Sequence, residues 1–472
     1  MTADPAEVAV DLDDVAVALR VAMRRGGDWA EVYVERSDRE TVRLDGGGVD
    51  EIRTDHDVGA AVRVITSGRA GYAYTNLLTL HSLAEAAEAA AAASGSGRTV
   101  AAAEIDLRAA PAPLELRPAK PPMSSSAADK VELLRRIDGA ARAHSVDVRQ
   151  VTAVHTDHTQ DVLIATSEGR VVRDRRVRTR ATCRVTVVRN GALQRGFDGP
   201  GAGMGMEMYD LHPPAQIGVT AAERAVRALD GRPAPSGEVP VVLGSAAGGM
   251  LLHEACGHGL EGDGLARESS TFAGTFGHRV ASPLVTAIDE PQLRCGYGSY
   301  RVDDEGTAGE RTVLLEAGVQ VGALTDLVTA RLLGRSSTAN GRRESYARPP
   351  LTRMSNTYID AGADEPDAII GDVDRGVYVA RLKGGEVDNA TGRFAFAVSE
   401  AYLIERGRLT RPVIGLMLTG DGPAAMSSVA AVGNDLGFTE ARCGKDGQWV
   451  PVSYGSPTLL ITGLTVAGHR HG

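Results

Sequence analysis

The period of hydrophobic and polar positions changes several times along the 472-residue chain, and each change predicts an element. Residues 11–26 carry apolar side chains at helical spacing. Ala30-Glu31-Val32-Tyr33-Val34-Glu35 alternates with period two and predicts a strand. Gly46-Gly47-Gly48 predicts a turn, and 49–53, 58–65 and 70–74 predict further short strands. An alanine-rich stretch over 78–93 predicts a helix, which completes an α+β unit with an antiparallel sheet. Residues 95–126, rich in Pro, Ala and Ser, read as a connector crossing the surface. Ser125 or Ser126 then caps a helix reaching about residue 143. Strands follow over 147–155, 161–166 and 170–189, and a helix over 214–229.

In the run 170–189, Arg176, Arg178, Arg180 and Arg184 fall on one face. Val177, Ala181, Cys183, Val185 and Val187 fall on the other, which places Cys183 in a core. The arginine face reads as a solvated or interface-facing sheet surface. Asp230-Gly231-Arg232-Pro233-Ala234-Pro235 is the strongest boundary signal in the chain. Two domains are expected, 1–235 and 236–472. The second opens with a buried strand at 239–244 and a helix over 246–252, with Ser245 as its N-cap. Short β-like runs follow at 284–288, 311–315, 368–370, 377–382, 394–405, 412–418 and 459–466. The expected fold class is α+β: an N-terminal sheet-and-helix domain, then a β-rich C-terminal domain that carries the helix of a metal site.

Composition narrows the partners. A net charge of −10 argues against nucleic acid, because phosphate binding needs a basic surface. The acidic N-terminal stretch has no basic segment followed by an apolar one, so no secretory signal is expected. The alanine-rich run is broken by Glu85 and Glu88 and predicts no membrane span. Cys183, Cys256, Cys295 and Cys443 are too widely spaced for a disulfide framework. A reduced, cytoplasmic protein with free thiols is expected.

The candidate chemistry lies in LLHEACGHGLEGD, residues 251–263. Zinc takes imidazole and thiolate, and a catalytic zinc site usually has three protein ligands and a water. His253 and His258 are five residues apart rather than the four of the familiar helical zinc motif. At about 100° per residue, five steps set the two side chains about 140° apart on a regular helix. The helix must therefore be bulged or broken near Gly257, where glycine tolerates unusual dihedrals. A third ligand has to come from elsewhere. Cys443 lies in a polar, glycine-flanked segment read as a loop. Cys256, three residues from His253, competes with it, and Cys295 is a weaker candidate. Glu261 and Asp263 are either ligands or groups that orient the imidazoles.

The motif resembles the metal motif of the TldD/PmbA family of metalloproteases. Further stretches resemble that family in the same order: Ser299-Tyr300-Arg301-Val302-Asp303-Asp304-Glu305-Gly306-Thr307, Asn340-Gly341-Arg342-Arg343-Glu344-Ser345-Tyr346, Arg353-Met354-Ser355-Asn356-Thr357-Tyr358, Gly384-Gly385-Glu386-Val387-Asp388, Ser399-Glu400-Ala401-Tyr402-Leu403, Gly433-Asn434-Asp435 and Cys443-Gly444-Lys445. The resemblance implies Zn2+ held by His253, His258 and Cys443, with Glu254 as general base. It places the chain on the TldD, metal-binding side, since PmbA (TldE) subunits lack the motif. It implies a TldE/PmbA-like partner in a heterodimer, or a homodimer, and a peptide substrate that is unfolded or a natural-product precursor. It implies no direct contact with nucleic acid.

Two readings remain for the polar blocks. Arg342, Arg343 and Arg353 either hold a substrate carboxylate or backbone as a fork, or form buried networks that shape the domain. Gly384 and Gly385 either let an extended peptide approach closely or mark a turn. A glycine-bounded sheet edge would bind substrate by strand addition, reading backbone more than sequence. Against the zinc peptidase stand two alternatives: a specialised hydrolase of one amide in a peptide-like intermediate, and a non-catalytic scaffold subunit.

Overall fold

The computed structural model describes residues 8–95, 104–110, 118–388 and 390–468. The start of the acidic N-terminal stretch and much of the 95–126 connector lie outside these residues. Mixed α+β architecture is what the alternating periods predicted.

The first half is built on unusually long strands. Trp29–Asp45, Gly48–Thr66 and Val148–Thr166 are each continuous, where the sequence suggested shorter pieces, and Arg170–Arg189 is one strand over the expected bounds. Polar residues in mid-strand, such as Thr54 to Asp57 and Thr156 to Gln160, conceal this continuity. Their backbones stay paired in register across the sheet. Arg69–Thr75, Gly48–Thr66, Trp29–Asp45, Val148–Thr166 and Arg170–Arg189 lie side by side in that order, all antiparallel.

Two helix pairs cover one face of this sheet. Leu12–Met23 and Leu80–Ala93 pack over Ala30, Val32, Val34, Val62, Leu163 and Ala165. Ala127–His144 and Pro214–Leu229 pack over Val42, Leu44, Val151, Ala181, Cys183 and Val185. Cys183 is therefore a core residue, and burial pushes its thiol up to about 12. The Ala127–His144 helix begins with a capping box: Ser126 and Asp129 each bond the other's backbone N–H.

The opposite face is charged and yet largely buried. Glu31, Glu35, Arg63, Asp174, Arg176 and Arg178 point away from the helices and are almost fully covered. They meet the second half of the chain. Arg63 pairs with Glu31 at 3.2 Å and with Glu305 at 2.6 Å. Arg176 pairs with Asp304 at 2.6 Å and Asp174 at 3.1 Å. Arg301 reaches Asp174 at 2.7 Å, and Arg343 bonds both Glu31 and the carbonyl of Asp304. Period-two alternation puts these charges on one face. Partners more than a hundred positions away turn that face into an interface, for Arg176 and Arg178 at least; Arg184 stays exposed.

In the second half, five strands close on themselves. Arg375–Asp388 pairs in parallel with Gly237–Leu243 and antiparallel with Arg393–Glu405. Leu459–Gly468 and Leu416–Asp421 complete the ring. A second sheet runs in the order Val319–Gln320, Thr312–Glu316, Ala287–Asp289, Asn356–Ile359, Gln448–Ser456, Gly437–Lys445. The run 368–370, expected as a strand, is helical within Pro366–Gly371. Three apolar residues carry no period of their own, and Pro366 near the helix start suits its first turn. The largest apolar cluster of the described residues joins both sheets to the helix that follows Gly237–Leu243.

Candidate metal centre

The helix Ala247–Leu252 runs directly into the motif. Ser245 does not cap it; its hydroxyl donates to the carbonyl of Asp435, and Ala246 turns the chain in the left-handed region at φ 69°. Gly249 lets the helix press onto Gln448–Ser456, because a Cβ there would stand 2.6 Å from the backbone nitrogen of Gly455.

From His253 to Gly257 the helix widens into a π turn, and the amide of His258 donates to the carbonyl of His253. An i→i+5 turn stacks residues five apart, which is what this pair of histidines requires. Their ring centroids lie 5.1 Å apart. Gly257 itself has ordinary helical dihedrals, φ −57° and ψ −49°. Its small size is the requirement, since a Cβ would stand 2.3 Å from the sulfur of buried Met354.

Cys443 lies on the strand Gly437–Lys445, not in a loop. The polar residues that suggested a loop occupy the other face of that strand or its end. Cys443 itself is buried beside Val450 and Val452. Its sulfur is 3.3 Å from Nε2 of His258. One donor atom each from His253, His258 and Cys443 fall within 4.8 Å of one another. Burial would push the Cys443 thiol up, but the two facing imidazoles pull it well below the ordinary thiol range. That favours thiolate, the form that binds metal. Nδ1 of His253 is buried and has no hydrogen-bond partner. A buried cysteine sulfur drawn toward thiolate, two imidazoles and an unpartnered ring nitrogen fit a metal ion better than they fit a closed hydrogen-bond network.

Cys256 is not part of this group. It is fully buried in the apolar core, and burial pushes its thiol up to about 12. Glu261 and Asp263 stand behind the donors. Glu261 accepts from Nδ1 of His258 at 3.0 Å and from Lys445 at 2.8 Å, and Lys445 also pairs with Asp263 at 2.8 Å. Burial would raise the Glu261 carboxyl, but His258 and Lys445 hold it down to about 2. Cys443 and Lys445, two apart on a strand, share a face, so one strand supplies both a donor and the cation that fixes the other donor's orienting carboxylate. Lys445 was missed as a functional residue, although its spacing from Cys443 was the available signal. We expect Glu261→Gln to weaken metal binding roughly 10- to 100-fold in a competition titration with a chelator, because orienting partners carry that much affinity.

Glu254 occupies the open side. Its carboxylate is 3.9 Å from Nε2 of His258, and its side chain is 39 % exposed. Tyr454 lies beside His253, with ring centroids 5.7 Å apart.

The three arginines of the polar blocks are not free to act as a substrate fork. Arg342 is buried, bonded to the carbonyls of Met354 and Pro451, and lies over the ring of Tyr300. Arg343 belongs to the interface network described above. Arg353 is fully buried and donates to the carbonyl of Cys443 at 2.5 Å, anchoring the strand that carries the thiol. A fork needs nitrogens facing a cleft, and these guanidinium groups face protein. Gly384 and Gly385 lie elsewhere, at a bulge in Arg375–Asp388 where the register with Arg393–Glu405 shifts. Gly384 has φ 125°, a conformation that favours glycine, and Gly385 has no room for a Cβ against the carbonyl of Ala395.

Comparison with known proteins gives this arrangement a family. Three models of the PmbA/TldA metallopeptidases match: domain 1 at residues 30–94, the central domain at 120–229 and the C-terminal domain at 236–468. A Haemophilus influenzae protein named metalloprotease TldD homolog is 38 % identical over 460 residues, covering 95 % of this chain and 94 % of its own. A Saccharolobus solfataricus zinc metalloprotease TldD homolog is 28 % identical over 271 residues, 56 % of this chain and 59 % of that one. The fold matches a Thermotoga maritima protein described as a candidate modulator of a DNA gyrase, with TM-score 0.80 and 20 % identity over 97 % of this chain and 100 % of that one. It also matches TldE from Thermococcus kodakarensis, with TM-score 0.74 and 20 % identity over 95 % and 99 % of the two chains. The chain belongs to the PmbA/TldD family of metallopeptidases.

Proposed function

We propose that this chain is a zinc peptidase in which His253, His258 and Cys443 hold the ion and Glu254 is the general base. The observation that carries the reading is the convergence of three donor atoms within 4.8 Å, with an exposed carboxylate 3.9 Å from one of them. Two imidazoles and a thiolate suit Zn2+ among the common divalent ions, and leave a coordination position for water. When bound, the ion supplies a Lewis acid and lowers the pKa of a water to about 7. Glu254 takes a proton from a water held on the open side of the donors as the water oxygen bonds to the scissile carbonyl carbon, and delivers that proton to the amide nitrogen as the C–N bond breaks. Lys445 and Glu261 keep His258 in the tautomer whose Nε2 faces Cys443.

The substrate we assign is an extended peptide, unfolded or a precursor of a modified product. Arg375–Asp388 pairs with Gly237–Leu243 only from Val377 to Val379. Beyond that point its outer edge has no strand partner among the described residues. The edge borders a cavity of ≈ 90 Å³ lined by Ala380, Arg381, Leu382, Met250 and Tyr454. Gly384 and Gly385 continue the same edge at the bulge. A peptide added to this edge is recognised through its backbone, which suits loose sequence preference.

A TldE-like chain is the partner we infer, on the strength of the shared fold with TldE. Four cysteines without a disulfide support a reducing, cytoplasmic setting, and no helix among the described residues is long and apolar enough to cross a membrane. A converging donor set with an unpartnered ring nitrogen on His253 argues against the scaffold reading. The test is co-purification followed by incubation with an unstructured peptide. New termini in the peptide, dependent on metal, are expected; no cleavage by the chain alone or with its captured partner contradicts the reading.

A further inference from the structure

Near the candidate metal centre stand two arginines without a close counter-ion of their own. Arg180, from the strand Arg170–Arg189, has no ion pair or hydrogen bond to its side chain among the described residues, and its Nε is buried without a partner. Arg381, from the strand that borders the cavity, makes one long contact, 3.9 Å to Asp198. That aspartate is already held at 2.6 Å by Arg224, which also pairs with Glu400 at 3.1 Å. Arg381 and Tyr454 line one cavity, and Arg180 lies three residues before Cys183, whose strand partner is the Asp198 that Arg381 reaches. Both guanidinium groups bear electrostatically on the hydroxyl of Tyr454 and the carboxylate of Glu440. Burial holds Glu440 up at about 7, which weakens it as a counter-ion for either arginine.

Tyr454 forms a shared wall. One side of it packs against His253, and the other lines the cavity with Arg381. A buried guanidinium nitrogen without an acceptor is costly. Arg63, Arg178, Arg343 and Arg353 also have one such nitrogen, but each bonds a carboxylate or carbonyl through another, whereas half-buried Arg180 does so through none among the described residues. Planar guanidinium groups match a carboxylate by paired, charge-assisted hydrogen bonds.

We propose that Arg180 and Arg381 form a subsite that holds a carboxylate of the peptide substrate beside the metal centre, supplied by its free C-terminus or by an acidic side chain. The inference rests on the peptidase reading and adds a feature of the substrate. It also joins the two halves of the chain in one site: Arg180 comes from the N-terminal sheet, and Arg381 from the strand ring.

The test measures binding, so that a failure of hydrolysis does not obscure it. An unstructured peptide with a free C-terminus, its C-terminal amide, and amides carrying one internal Asp or Asn are titrated against the full-length Glu254→Gln protein. The same titrations follow in that background with Arg180→Gln, Arg180→Lys and Arg381→Gln. The free acid, or the Asp amide, is expected to bind roughly 10- to 100-fold tighter than its neutral counterpart, the range for charge-assisted hydrogen bonds. Arg180→Gln and Arg381→Gln should each reduce that preference, and Arg180→Lys should restore part of it. Preference for the free acid assigns the subsite to the terminus, and preference for the Asp amide assigns it to a side chain. Equal binding of acid and neutral peptides by the parent, or a preference that survives Arg180→Gln and Arg381→Gln unchanged, overturns the proposal. So does a dependence on a free N-terminal amine that these substitutions leave intact. Absence of cleavage by the Glu254-containing protein, with the binding preference intact, counts against the peptidase reading and not against the subsite.

Discussion

Glu254→Gln is expected to retain its metal and lose peptide hydrolysis by a factor of about 10² to 10⁴, the usual contribution of a positioned general base. Glutamine keeps the size of the side chain and its place on the open side of the π turn. It cannot take a proton. Glu254 is not among the three clustered donors, so metal content should match that of the parent. Substrate binding should change little, because the cavity lining and the strand edge are untouched. The check is a time course of cleavage of an unstructured peptide at matched metal content. Full activity in Glu254→Gln would remove Glu254 from the mechanism. Loss of metal together with activity would mean that the carboxylate is a ligand.

Arg343→Met is expected to destabilise the fold by about 3–5 kcal/mol, the cost of breaking a buried ion pair from one side. Arg343 is fully buried and joins Glu31 of the first sheet to the Asp304 segment of the second half. Its guanidinium also lies 4.2 Å from the ring centroid of Tyr33. Methionine fills part of the space and leaves Glu31 with Arg63 as its remaining cation. Glu305 is exposed to the same change through Arg63, which it shares with Glu31. Burial raises the Glu305 carboxyl to about 7, with Arg63 working against that shift. A raised folded-state pKa contributes stability at low pH, and that contribution fades as pH rises through about 7. For Glu305 alone, the variant's deficit should therefore ease on mild acidification. Denaturant midpoints at two pH values check both points, and a deficit below about 1 kcal/mol, the range of exposed pairs, would contradict the account of the interface.

The sequence carried the metal centre further than it carried its surroundings. Two histidines five apart could not share a regular helix face, and that mismatch pointed to the π turn between His253 and His258. The glycine argument attached to it was wrong in kind: Gly257 is needed for its size against Met354, not for its dihedrals. Cys443 was legible as a candidate thiol but not as a strand residue, because polar neighbours on the opposite face masked the alternation. The three arginines of the conspicuous polar blocks drew attention as substrate ligands and are instead structural. Arg180, one of the row of arginines on Arg170–Arg189, is half-buried with an unpartnered Nε. Periodicity assigns a residue to a face, and only the distant partner decides whether that face is solvent, interface or cleft. Glu31 and Arg343 are 312 positions apart, and no local pattern couples them. Three of the long strands of the first sheet were read in pieces for a related reason. The polar central residues of Trp29–Asp45 and Val148–Thr166 are held by pairing on both sides, and those of Gly48–Thr66 by pairing on one, which a single segment does not display.

The most direct test of the account is elemental analysis of the purified full-length chain alongside Cys443→Ala and Cys256→Ala. One zinc per chain in the parent and in Cys256→Ala, with zinc lost from Cys443→Ala, is the predicted result. A parent without metal, or zinc that survives Cys443→Ala and disappears from Cys256→Ala, would contradict a centre built from His253, His258 and Cys443.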